Sequence, residues 1–233
     1  MRVQLIGLAA ATLACVGVPT AQAKGPVVLS QVVWAQTPSR SDVAEAFAAV
    51  SARPGDSVAL VCRINVYGDL SDCNAEPGGS NADGVARAAL RLARQFRVDL
   101  DPLGAADIYQ LRVRLVVQAP APAGPHVITS PEWIRTLSAD KLQETFPPKA
   151  ADAGLKTGRA VLDCVADAHG MMAACQVLSE DPAGMDFGPA AVRVASAMGV
   201  SPWTDDGLPA EGAHVKFAVR LNRQEPAAPA STH

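Results

Sequence analysis

The sequence predicts an α+β protein of two small domains, each a short helix, a β-hairpin, a second helix and a closing strand in a three-stranded antiparallel sheet. Three observations carry that expectation. Cys62 and Cys73 stand eleven residues apart, as do Cys164 and Cys175, and a glycine follows the first cysteine of each pair by six (Gly68, Gly170). Two amphipathic helix patterns obey the same shift of 102 residues: Val85, Ala88, Ala89, Leu92 and Phe96 in one half, Phe187, Ala190, Ala191, Val194 and Met198 in the other. Each half then ends in a strand of alternating character, Leu111, Val113, Leu115 and Val117 in the first, Val215, Phe217, Val219 and Leu221 in the second.

Taken in order, the chain opens with Met1-Arg2, an apolar run to Val18, and Pro19-Thr20-Ala21-Gln22-Ala23. This reads as a signal peptide (1–23), its apolar run too short to span a bilayer and its end small-x-small. Without Cys15 four cysteines remain, an even number for an oxidising compartment, and no later segment is long and apolar enough to span a bilayer. Lys24–Val33 is a leader with strand character. Trp34 and Phe47, and thirteen residues apart again Trp133 and Phe146, bracket helix-start signals at Ser39-Arg40-Ser41-Asp42 and Ser138-Ala139-Asp140-Lys141, so each segment reads as a short helix pinned by its aromatics. Pro147-Pro148 breaks the second of these, and glycines turn the chain into its hairpin.

The hairpins turn at Tyr67-Gly68 and His169-Gly170. A two-residue turn would set the cysteines face to face, whereas a bulged turn would move the register by one and leave any bridge diagonal. Loops follow at Asn74–Ala82 and Glu180–Gly184, and Arg87, Arg91 and Arg94 fall on the solvent side of the first long helix. Gln118–Pro125 is a Pro/Ala-rich, semi-extended connection. Gln224–His233 is polar and proline-containing, the composition of a disordered tail.

Chemistry-bearing constellations are sparse. The cysteine spacing lacks the close pairs of a structural zinc site and the Cys-x-x-Cys of a redox site, which leaves two disulfides, Cys62–Cys73 and Cys164–Cys175. His126, His169, His214 and His233 are isolated, with no metal-ligand spacing. Glu180-Asp181 and Asp205-Asp206 are acidic pairs in turns, where solvation explains them without acid–base work, and Gly78-Gly79-Ser80 has no phosphate-loop context. No catalytic residue, metal or cofactor is expected. A net charge of −3 and few aromatics argue against a nucleic-acid partner.

The second half resembles the C-terminal domain of the TonB family. The residues that carry the resemblance are Phe146-Pro147, Ala150 and Gly154 ahead of Gly158-Arg159-Ala160-Val161, the hairpin glycine Gly170, the helix Phe187–Met198, Pro202, and Asp206-Gly207-Leu208-Pro209 before the last strand. The first half is similar to a degenerate copy that keeps hairpin, helix and closing strand. The implied organisation is a signal peptide (1–23), a degenerate domain (24–118), a linker (119–127), a second domain (128–223) and a tail (224–233).

What the resemblance implies is a periplasmic, non-enzymatic binding or scaffold protein associated with outer-membrane transport. Its closing strand Ala213–Asn222, with His214, Lys216, Ala218 and Arg220 on the wet side, would add a strand from an outer-membrane receptor peptide, another envelope protein, or a second copy in a dimer. Ile108–Val117 is the corresponding strand of the first half. The alternative expectation is a structural envelope protein whose two domains pair edge to edge. Transducers of this family keep a membrane-anchoring helix and a long proline-rich span, which this chain is not expected to have.

Overall fold

The computed structural model describes residues 25–78, 82–104, 106–121 and 126–223. The expected signal peptide with Cys15, the loop residues Gly79 and Ser80, linker residues 122–125 and the tail 224–233 lie outside the described residues.

The first domain runs β1 (Val27–Leu29), β2 (Trp34–Gln36), α1 (Arg40–Ala48), β3 (Ser57–Ile64), β4 (Leu70–Ala75), α2 (Ala82–Ala93), β5 (Arg97–Val98) and β6 (Leu111–Gln118). The second runs β7 (Val127–Ile128), β8 (Trp133–Arg135), α3 (Ala139–Glu144), α4 (Pro148–Asp152), β9 (Thr157–Ala166), β10 (Met172–Asp181), α5 (Phe187–Ala195), β11 (Gly199–Val200) and β12 (His214–Asn222). The chain is therefore α+β, with two sheet domains of like design.

Each main sheet has four strands, not the expected three. The orders are β1-β6-β3-β4 and β10-β9-β12-β7. Hairpin and closing strand are antiparallel, and the leader strand lies parallel on the outside of the closing strand, Val27 opposite Leu111 and Val127 opposite His214. β1 falls within the Lys24–Val33 leader read as having strand character, but neither its pairing nor the two-residue β7 is announced by a period of two. Two further ribbons, β2 with β5 and β8 with β11, were also not foreseen. They take the tryptophans away from the helices those residues were expected to pin. Trp34 packs edge-on against Phe96 at 4.9 Å, and Trp133 against Phe217 at the same distance.

One face of each sheet is buried under one helix. Val58, Leu60, Cys62 and Ile64 of β3 and Leu111, Val113, Leu115 and Val117 of β6 are buried with Val85, Ala88, Ala89 and Leu92 of α2. Their counterparts Ala160, Leu162, Cys164, Ala166, Val215, Val219 and Leu221 lie with Phe187, Ala190, Ala191 and Val194 of α5. Alanines at the contact let each helix approach its sheet closely, while every buried aliphatic side chain contributes about 1.5–3 kcal/mol.

Local chemistry sets the ends of these elements. Ser39 and Asp42 form a reciprocal capping box on α1, and hydrogen bonds from Ser39 hold the Asp42 carboxyl below its ordinary range. Pro148 begins α4 at its first turn, so Pro147-Pro148 starts a helix as well as ending one. β10 continues to Asp181, which puts Glu180 at a strand end instead of in a loop, where its carboxylate accepts the Gly184 and Gly188 amides at the start of α5.

Both hairpins use the bulged turn. Gly68 and Gly170, at φ +86° and +77°, donate to Asn65 and Asp167 carbonyls at 3.0 and 2.9 Å. That conformation is the left-handed one glycine adopts without steric cost. A second irregularity follows at Asp72 and Ala174, also 102 residues apart, at φ +47° and +43°. This extra residue moves the register back, so Cys62 stands beside Cys73 and Cys164 beside Cys175, each pair with Cα atoms 4.0 Å apart. Both disulfides are formed, on the helix-facing side of the sheet, and the bridge is not the diagonal one that a single bulge would have given.

Candidate functional site

The candidate site is the outer edge of β12. Its sequence, His214-Val215-Lys216-Phe217-Ala218-Val219-Arg220-Leu221-Asn222, alternates because odd positions face the helix and even positions face away from it. On one side β12 pairs with β9 along its full length, from His214 opposite Val165 to Asn222 opposite Thr157. On the other side β7 accompanies only His214 and Val215. The His214 amide donates outward to the His126 carbonyl at 2.7 Å, which sets the parity of the strand: even-numbered residues direct their N–H and C=O groups to the outer edge. From Phe217 to Asn222 no strand accompanies that edge among the described residues, and Ala218, Arg220 and Asn222 are exposed.

The four expected edge residues do not form one equivalent row. His214 lies under β7 with Nδ1 3.0 Å from Asp163 Oδ1, and Lys216 Nζ reaches Asp163 Oδ2 at 3.8 Å. Ala218 is small and exposed, and Arg220 stands opposite Arg159 of β9. Neither arginine has an ion-pair partner among the described residues. The open part of the edge is consequently basic.

The equivalent edge of the first domain is closed. Ile108–Gln110, the start of the expected strand, forms a 3₁₀ turn, and β1 covers Leu111–Val113. Beyond them the second domain takes over. Trp203 Nε1 donates to the Val116 carbonyl at 2.9 Å, and the Gln118 amide donates to the Gly207 carbonyl at 2.9 Å. The Trp203 ring meets Phe96 edge-on at 4.7 Å and is 4% exposed, so a side chain of the second domain belongs to the core of the first. The closing strands β6 and β12 lie in different sheets and are not partners of one another.

Two clefts flank this junction. One, of about 280 Å³, is lined by Trp34, Arg114, Glu132, Trp203, Thr204 and Asp205. Burial, and then the neighbouring Asp205, push the Glu132 carboxyl above its ordinary range. The other, about 820 Å³, lies between α1 and the Asp206–Glu211 segment, where Arg40 N–H donates to Glu211 Oε2 at 2.9 Å. There His126 Nε2 stands 3.5 Å from Asp206 Oδ2, and hydrogen bonding from His126, with a further bond from Thr204, lowers the Asp206 carboxyl.

Glu132, Trp203 and Gly207 as a junction escaped the sequence reading. The signal was present in one place: the shift of 102 pairs Trp203 with Asp101, so the aromatic is not part of the repeat. His169 lies exposed in its turn, and Arg91 is less free than a solvated face implies, because its guanidinium donates to the Ala46 carbonyl and ties α2 to α1. Among the described residues no three His, Cys, Asp or Glu side chains gather as metal ligands would, and no helix is long and apolar enough to cross a membrane. Comparison with protein-family models finds no match, and comparison with curated proteins finds none.

Proposed function

We propose that the chain is an exported, non-enzymatic binding module that captures a segment of a protein partner by backbone pairing at the outer edge of β12. The observation that carries this reading is the asymmetry between two repeated edges. The chain itself occupies the Val116–Gln118 edge, while Ala218–Asn222 keeps outward backbone groups without a strand beside them among the described residues. An open edge of this kind templates strand addition: main-chain hydrogen bonds supply affinity and alternate side chains supply selectivity. The disulfides fit an oxidising compartment. With the TonB-like order of Phe146-Pro147, Gly170, the Phe187–Met198 helix and Asp206-Gly207-Leu208-Pro209, they favour the periplasm and a partner in the outer envelope.

A photo-crosslinking residue in place of Lys216, used in the exporting cell, tests the reading. The expected result is a discrete adduct with one envelope protein, lost when Ala218→Pro is added. Proline there removes an outward N–H that carries no bond to β9, so the sheet should tolerate it while the incoming strand should not. An adduct that survives Ala218→Pro unchanged, or only small-molecule adducts, would count against backbone pairing.

A further inference from the structure

Building on the reading of β12 as the partner-binding edge, we infer that the segment it takes carries an indole, as Trp203 presents one to β6, and is acidic, to match the exposed Lys216 and Arg220. The repeat aligns the two edges residue by residue. Arg114 corresponds to Lys216, Leu115 to Phe217, Val116 to Ala218, Gln118 to Arg220, and Phe96 to Met198. On the first edge the occupant is visible. Its indole N–H bonds the Val116 carbonyl and its Gly207 carbonyl accepts the Gln118 amide four residues later, while Asp206 between those anchors is held by His126 and Thr204, and Arg114 of the edge pairs with Glu76.

The second edge repeats the strand, and among the described residues no tryptophan loop of the sister domain covers it. Under Trp203, Leu115 and Phe96 are each 1% exposed. Their counterparts Phe217 and Met198 are only half-buried, and Phe217 already holds Trp133 edge-on at 4.9 Å, so an aromatic surface borders the open strand. Charge points to the same occupant. Lys216 has a side chain 60% exposed, and Arg220 is exposed beside Arg159. Lys216 and Arg220 lie on one face about 13 Å apart at the rise of an extended strand, a spacing that acidic residues on an added strand can match. A second copy paired antiparallel about Ala218 would instead set Lys216 against Arg220 twice, and like charges directly opposite one another are destabilising. The copy's own Trp203 loop is already engaged with its β6.

A synthetic peptide spanning residues 199–210 of this chain, titrated into the isotope-labelled full-length protein, is the probe. Amide shifts should concentrate at 216–222. Binding should weaken with added salt, and it should fall roughly tenfold in Lys216→Glu/Arg220→Glu, the scale of two exposed charge pairs reversed. Peptides with alanine for Trp203, or asparagine for Asp205 and Asp206, should each bind more weakly. Shifts confined to Val116–Gln118, where the peptide merely replaces its parent loop, or equal binding by the charge-reversed variant, would overturn the inference. If a neutral extended peptide shifts the β12 amides and the acidic one does not, strand capture stands and the acidic, indole-bearing preference falls. If no peptide moves those amides, both fall.

Discussion

Gly207 occupies a position where a side chain has no room. At φ +88° it lies in the region that glycine favours, and a Cβ would come within 2.9 Å of the Val116 carbonyl group and the Gln118 nitrogen. Its neighbour Trp203 fills the space between Phe96 and the β6 backbone, which makes this five-residue stretch the lock between domains. Gly207→Ala should therefore cost about 1–3 kcal/mol of stability and loosen Trp203. Urea unfolding followed by tryptophan fluorescence reads both effects, with a red shift of native-state emission expected; an unchanged midpoint and spectrum would show that the junction does not depend on this contact. The Asp206-Gly207-Leu208-Pro209 motif was legible in the sequence as a turn. Its docking on the other domain was not, because a turn's residues specify its own backbone and not the surface it meets.

The hairpins show most clearly what periodicity can and cannot convey. The apolar faces of α2 and α5 were readable as far as Leu92 and Val194, since burial against a sheet demands that spacing, but the helices end at Ala93 and Ala195, so Phe96 and Met198 lie beyond them and Met198 is only half-buried. The cysteine pairing was readable too, but its geometry was not: a bulged turn alone would have put the bridges on the diagonal, and Asp72 and Ala174 each insert a second extra residue that restores the facing register. Aspartate is enriched at left-handed positions but does not mark one, and alanine gives no such signal at all. Each bridge closes a loop of about a dozen residues, worth roughly 3 kcal/mol by loop entropy. The Cys164→Ser/Cys175→Ser pair should lose about that much in the second domain, measured by denaturant unfolding of the oxidised protein, whereas a loss near zero would mean that α5 and the sheet hold this domain without the staple. β7, and the docking of both leader strands on the closing strands, were the hidden features. They exist because each closing strand leaves an edge that a passing extended segment can satisfy, which is a tertiary cause with only two or three residues of sequence behind it.

At the scale of the whole molecule, the two sheet domains of like design have closing-strand edges with different surroundings. The shift of 102 carries hairpin, helix and closing strand from one half to the other, and yet one outer edge is sealed by its sister domain while the other has no strand beside it beyond Val215 among the described residues. The sealing joins the domains through a buried tryptophan bonded to the Val116 carbonyl, the Gln118–Gly207 backbone hydrogen bond and the Arg40–Glu211 tie, with clefts left on either side. The proposed binding rests on the other edge, where Lys216 and Arg220 are exposed and Phe217 is half-buried. Site-resolved amide hydrogen exchange of the full-length protein tests that contrast most directly, because Gln118 and Arg220 are repeat counterparts with outward N–H groups. A protected Gln118 amide and a rapidly exchanging Arg220 amide are expected in the free protein, with Arg220 becoming protected when the acidic peptide binds; equal protection of the two amides in the free protein would overturn the contrast between the edges.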